Sequence, residues 1–284
     1  MFVFFFFACI FGTSEEAPDP TPPAPEEPVA EEPVAEEPTP EPTAPEPVEV
    51  VVDAELTALT DEAVSRSVAE AMALYSTAST STELEAAYTK AIVAADALTA
   101  WAEERAVPDF DPILAKAPGL GMGWFAEGTI AVFYLDPEQW QAKAAATPQA
   151  DDDAFFALTS QAYSQANPGG YAAWEVRTWD YGGCSALGEG VLLETLALAQ
   201  QADEAGPAFT APTASVRDAA IEHITRDNTT GFQLCDYRTN GPRDDDAMKG
   251  EVQQILDTVT LSDTHREALT TVQPGLKGEA FSGG

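Results

Sequence analysis

TDEAVSRSVAEAMALY (residues 60–75) and TELEAAYTKAIVAADAL (residues 82–98) decide how the folded part of this chain is read. In the first stretch Val64, Val68, Met72 and Tyr75 fall at i, i+4, i+8 and i+11, one stripe of a 3.6-residue period. Thr60-Asp61 stands just before it as an N-terminal cap. In the second, Leu84, Tyr88, Ala91, Ala95 and Leu98 repeat the pattern, with Thr82 and Glu85 spaced as a capping box. Pro108 sets a stop near Ala106. The short STAST stretch between the two predicts an antiparallel helical hairpin.

The same signals recur downstream. Asp111-Pro112, Asp136-Pro137 and Thr147-Pro148 each place a capping side chain before a proline at the first helical position. Phe155, Leu158, Ala162 and Tyr163 stripe a helix that is expected to end at Asn167-Pro168-Gly169-Gly170. Val191, Leu192, Leu193, Leu196 and Leu198 belong to the most apolar helix, expected to start at Ser185 and to lie centrally. Further helices are expected at about residues 215–227, 245–259 and 263–272. Met122 to Leu135 fits a buried strand or a buried helix, and Trp124, Phe125, Val132 and Leu135 favour the helix. The expected fold is all-α: a single domain of about eight to ten helices over residues 54–284, with room for one short strand pair.

The first 53 residues are different in kind. Residues 10–53 form a Pro/Glu-rich tract containing the repeat EEPVAEEPVAEEP, residues 26–38. Proline blocks helix and ladder hydrogen bonds and the carboxylates repel each other, so the tract is expected to be a disordered linker with polyproline II bias. At ~3.1 Å per residue it reaches on the order of 100 Å. Of the 48 acids in the chain, 13 lie in this tract, and the remaining 35 face 13 bases. The formal net charge of −35 disfavours nucleic acid and anionic headgroups and points to a cationic or envelope partner.

MFVFFFFACIF, residues 1–11, is too short to span a bilayer, which takes ~20 residues, but suits the apolar part of a signal peptide. Phe6-Phe7-Ala8-Cys9 resembles the lipobox of bacterial lipoproteins, with an apolar residue three before the cysteine and a small one directly before it. The resemblance implies a signal segment over residues 1–9, lipidation of Cys9, and membrane attachment through that N-terminal lipid. It implies a location in the cell envelope, facing the periplasm or the exterior. No family resemblance covers the helical domain.

Chemistry has few candidate carriers. Cys184 and Cys235 remain once Cys9 is lipidated, and an isolated pair in an oxidising compartment is most simply a disulfide. A nucleophile of Cys184 with His223 or His265 is the alternative. His265 falls in the first turn of an exposed helix and His223 stands beside charged residues, so both read as surface histidines. Asp151-Asp152-Asp153 and Asp244-Asp245-Asp246 fit helix starts, where the dipole favours negative charge, better than calcium sites. No metal or other cofactor is expected. Gly119 to Gly123 is glycine-rich but follows no strand, and Glu189 and Glu194 are candidate paired carboxylates of unknown separation.

The densest polar cluster flanks the two cysteines. Arg177, Trp179 and Asp180 precede Cys184, and Asp236, Tyr237 and Arg238 follow Cys235. A bridge would bring them together as a small polar pocket, whose arginines either neutralise the aspartates or hold a carboxylate. The reading is a lipid-anchored, extracytoplasmic binding or interaction protein. The alternative is an extracytoplasmic hydrolase acting on polysaccharide or peptide, which would need polar residues from distant segments to converge in one pocket.

Overall fold

Acid-rich helix starts organise the molecule. Asp53, Asp61, Asp136 and Asp244 each accept backbone N–H groups at a helix start, and Thr80 and Ser262 do the same with hydroxyls. Part of the chain's acidity therefore serves as caps, where a carboxylate also meets the positive end of the helix dipole. The computed structural model describes residues 50, 52–105, 109–125, 130–163, 172–177, 183–226, 232–236, 238–239 and 241–279. These lie in the unit Pro47–Gly284. Cys9, most of the 10–53 linker and the Asn167–Gly170 stop are outside the described residues.

Ten helices are present among them. The hairpin of α2 (Glu62–Thr77) and α3 (Ser81–Glu103) forms as expected, burying Val64, Val68 and Met72 against Leu84, Ala91 and Leu98. The capping box sits two residues earlier than the sequence suggests. Thr80 accepts the Glu83 N–H, and the Glu83 carboxylate reaches back to the N–H of Ser79 at 2.8 Å. α1 (Ala54–Leu59) and α4 (Asp111–Leu114) are short. α5 (Pro137–Ala144) and α6 (Ala150–Ala162) bring Trp140, Phe155 and Phe156 to Tyr88 of α3, where they join Phe209 in an aromatic cluster.

The described residues between Met122 and Leu135 are not helical. They fall in an antiparallel hairpin of β1 (Leu120–Phe125) and β2 (Ile130–Leu135), with Met122 opposite Phe133. The physical reason is legible in retrospect. Gly121 and Gly123 weaken a helix, and a Cβ at Gly121 would meet the Tyr134 ring at 2.8 Å. In β2, Ala131 and Phe133 are buried in alternation, against α3, and the N–H of Phe133 donates to Thr99 Oγ1 at 2.9 Å.

The most apolar helix, α7 (Val191–Ala205), starts six residues later than expected. Ser185 belongs instead to a small sheet. Gly188 and Gly190, with φ of +95° and +85°, make a left-handed turn that a helix cannot include. The helix start lacks a cap of its own, and Glu251 of α9 (Asp245–Thr258) supplies one. Its buried carboxylate accepts the N–H groups of Gly188 and Leu193. α8 (Thr210–Thr225) begins five residues earlier than expected, because Pro212 falls in the first turn, where its missing N–H costs nothing. α10 (Asp263–Val272) follows, ending in the 3-10 turn Gln273–Gly275.

The small sheet aligns β3 (Glu175–Arg177), β4 (Gly183–Ser185) and β5 (Phe232–Gln233), with β4 antiparallel to β3 and parallel to β5. A two-residue pair, β6 (Cys235–Asp236) and β7 (Gly241–Pro242), follows. Strand structure thus exceeds the single pair expected, but every strand is short and the domain remains mainly helical. No helix among the described residues is long and apolar enough to cross a membrane.

Candidate functional site

The expected disulfide is present. Cys184 of β4 and Cys235 of β6 are bonded, with Cα atoms 5.1 Å apart. This removes the free thiol that a Cys184–histidine nucleophile would need. The bridge does draw charged residues together. Arg238 donates to Glu189 at 3.0 Å and to Asp236 at 3.2 Å. The backbone N–H of Arg238, and then its guanidinium, hold the Asp236 carboxyl below its usual range. The Arg177 side chain and the whole of Trp179, Asp180 and Tyr237 lie outside the described residues.

A third arginine was not singled out from sequence, yet it is the centre of the cluster. Arg243 is buried, and its guanidinium donates to Glu189, to the carbonyl of Ser185 at 2.8 Å and to that of Cys235 at 3.1 Å. It ties β4 to β6 alongside the disulfide. Glu189 is therefore taken up in ion pairs and Glu194 accepts a bond from Gln161, so the two do not form a carboxylate pair. The Asp151 and Asp152 carboxylates are buried and pair with Ser81 and Thr147. Among the described residues no group of three or more ligating side chains is placed to hold a metal ion.

The more telling convergence is on the other side of β4. The Ser185 hydroxyl lies 2.8 Å from Nε2 of His223 and accepts the N–H of Leu187 at 3.1 Å. His223 is not a surface residue: its side chain is 2% exposed. The helical period accounts for this, since Thr213, Val216, Ala220 and His223 line one buried face of α8. That stripe is a signal the sequence held. The Nδ1 side of the ring faces Glu175 of β3, with Oε1 at 4.0 Å, and the Trp174 ring lies 6.4 Å away.

Burial, and then the Arg226 guanidinium, push the His223 pKa down to about 4. The imidazole is neutral at pH 7. With a carboxylate on the Nδ1 side, the proton is favoured at Nδ1, which leaves Nε2 to accept from the Ser185 hydroxyl. Arg226 lies just past α8. It is 3.9 Å from Glu175 and 4.0 Å from Glu222, ion pairs too long to be hydrogen bonds.

This pair faces a cavity of about 370 Å³. Ser185, His223 and Arg226 provide its polar side, and Ile224, Leu234, Val272 and Leu276 its apolar side. The volume is at the small end of the ~300–1,000 Å³ typical of ligand pockets. The wall formed by α10 and the following turn is fixed by the C-terminal segment. Gly278 N–H donates to Asp245 at 2.7 Å, and Glu279 N–H donates to the carbonyl of Leu234 at 2.9 Å. Residues from β4, α8, the β5–β6 junction and the C-terminal segment thus meet at one place. His265, in contrast, pairs with Asp218 at 3.2 Å. No protein-family model matches the sequence, and comparison with curated proteins and with solved structures finds no significant match.

Proposed function

We propose that this is a lipid-anchored, extracytoplasmic ligand-binding protein whose site is the cavity over Ser185 and His223. The observation that carries the reading is the cavity itself. It combines four aliphatic side chains with the hydroxyl residues Ser185, Thr225 and Thr271, a neutral imidazole and a guanidinium drawn from separate segments, the mix that small-molecule sites use. The ligand this suits has a short apolar body and one acidic or acceptor group. Arg226 is the cation among the described lining residues, and its contacts to Glu175 and Glu222 among them are long, at 3.9 and 4.0 Å.

Hexanoate is a direct probe. Titrated into the full chain at pH 7, it is expected to shift the methyl resonances of Ile224, Leu234 and Leu276. Arg226→Gln should weaken that binding about tenfold or more, the worth of one charge-assisted hydrogen bond. Methyl resonances that do not move at millimolar hexanoate would end the pocket reading.

The location rests on the lipobox-like Phe6-Phe7-Ala8-Cys9 and on the acidic, proline-rich tract behind it. A tether of that composition holds a domain away from the surface that anchors it. Recovery in the membrane fraction, with lipid mass on the N-terminal peptide, is the expected result, and Cys9→Ser should abolish both. Equal membrane recovery of the Cys9→Ser variant would remove the anchor.

A further inference from the structure

Two of the groups in the cavity stand in the relation of a nucleophile to its base. Ser185 Oγ and His223 Nε2 are 2.8 Å apart, within the ~2.6–3.2 Å that proton transfer requires. A third group lies behind the base, since Glu175 Oε1 is 4.0 Å from Nδ1. The residues come from β4, α8 and β3, and nothing but the fold brings them together. A buried serine needs no histidine to be satisfied, because the Leu187 N–H and a single acceptor would suffice. Both residues are buried, and both stand in the lining of the cavity.

We propose that the cavity is an acyl-transfer site, with Ser185 as nucleophile, His223 as general base and Glu175 as the carboxylate that positions the ring, acting on carboxylic esters with a short apolar acyl chain. The proposal rests on the cavity being a ligand site. Ser185 Oγ attacks the ester carbonyl carbon and its proton passes to Nε2. The carbonyl oxygen takes the negative charge, with the Leu187 N–H holding Oγ in place at 3.1 Å. As the intermediate collapses, the bond to the alcohol oxygen breaks and that oxygen takes the proton from Nε2. Water then attacks the acyl-serine, giving its proton to Nε2, and the carboxylic acid leaves as the proton returns to Oγ.

Ester is favoured over amide by the strength of the base. A ring whose carboxylate stands at 4.0 Å, beyond hydrogen-bond distance, and shares that carboxylate with Arg226 is a weak proton acceptor, and the less electrophilic amide carbonyl would ask more of it. An alkoxide leaving group needs less help than an amine. The apolar side of the cavity, Ile224, Leu234, Val272 and Leu276, takes the acyl chain, and about 370 Å³ keeps that chain short.

The test uses the detergent-solubilised full chain, an alkyl fluorophosphonate and p-nitrophenyl butyrate. Peptide mass mapping is expected to find the phosphonyl group on Ser185, and the butyrate ester should be hydrolysed. Ser185→Ala should abolish both, and His223→Gln should slow both by about 100-fold or more. Glu175→Gln should lower kcat while leaving KM unchanged, which a merely structural carboxylate would not do. Hexanoate shifts of the cavity methyls in each variant show that the pocket is intact. If the wild-type protein takes no label while hexanoate still moves those methyls, the site binds but does not catalyse, and this proposal fails alone. If neither occurs, the pocket reading fails with it. Label on another residue, or label undiminished in His223→Gln, would also overturn it.

Discussion

Replacing Cys184 and Cys235 together by alanine is expected to lower the unfolding free energy by roughly 4 kcal/mol, the loop-closure entropy of a bond spanning a sequence separation of 51 residues. For a domain of this size that corresponds to a fall in Tm on the order of 10 °C. The bond holds β4 beside β6, and Ser185 directly follows Cys184 in β4. The double variant should therefore also weaken hexanoate binding, because the serine at the cavity loses its fixed strand. Thermal unfolding with and without a reducing agent gives the first number. A shift below about 1 kcal/mol would show that Arg243 and the strand pairing hold the junction unaided.

Arg243→Met should cost about 3–5 kcal/mol, the range for removing one partner of a buried ion pair. The side chain is 5% exposed and bonds to Glu189 and to two carbonyls. Methionine fills much of the volume but leaves the carbonyls of Ser185 and Cys235 without this donor. Among the described residues it also leaves Glu189 with the exposed Arg238 alone. Arg243→Lys should not restore the loss, since a point ammonium cannot span a carboxylate and two carbonyls as a planar fork does. Urea unfolding with an unchanged m-value checks this. A midpoint within experimental error of the parent would mean that the buried guanidinium is not holding the two strands.

What the sequence made legible is local. Asp61, Asp136, Asp244 and Ser262 stand before apolar stripes, and each caps a helix. The hairpin of α2 and α3, the disulfide and the span of α10 follow from signals only a few residues long or from the cysteine count. At Leu120–Leu135 the sequence leaves strand and helix open, and the glycines that make the close approach of Tyr134 feasible are what decide for the strand pair. α7 was begun too early because its cap is supplied by Glu251, about sixty residues away in sequence, which no local pattern announces.

The cavity over Ser185 and His223 is hidden from the sequence for the same reason. Charge and aromatics beside the cysteines mark out Arg177, Trp179, Asp180, Asp236, Tyr237 and Arg238 in the sequence. Of these, Arg238 pairs with both Asp236 and Glu189. Ser185 was read as a helix start and His223 as a surface residue because of its charged neighbours Glu222 and Arg226. Burial of His223 follows from the α8 stripe, but its meeting with Ser185 depends on how α8 packs against β4, and periodicity does not carry that.

His223 is also where the account is most directly measured. Its folded pKa of about 4 lies below the unfolded value of 6.5. Its contribution to stability is therefore complete above pH 6.5, is lost as pH falls from 6.5 to 4, and changes no further below that, by roughly 3 kcal/mol in all. The groups facing the ring are Glu175 from β3, Arg226 at the end of α8 and, through Glu175, Tyr163 after α6. Imidazole NMR of the full chain, recorded across pH and then at pH 7 with hexanoate, reads both halves of the central claim at once. The expected result is a neutral His223 ring, protonated at Nδ1, that titrates near pH 4 and whose Nε2 signal moves when hexanoate is added. A ring that titrates near 6.5 and ignores hexanoate would contradict it.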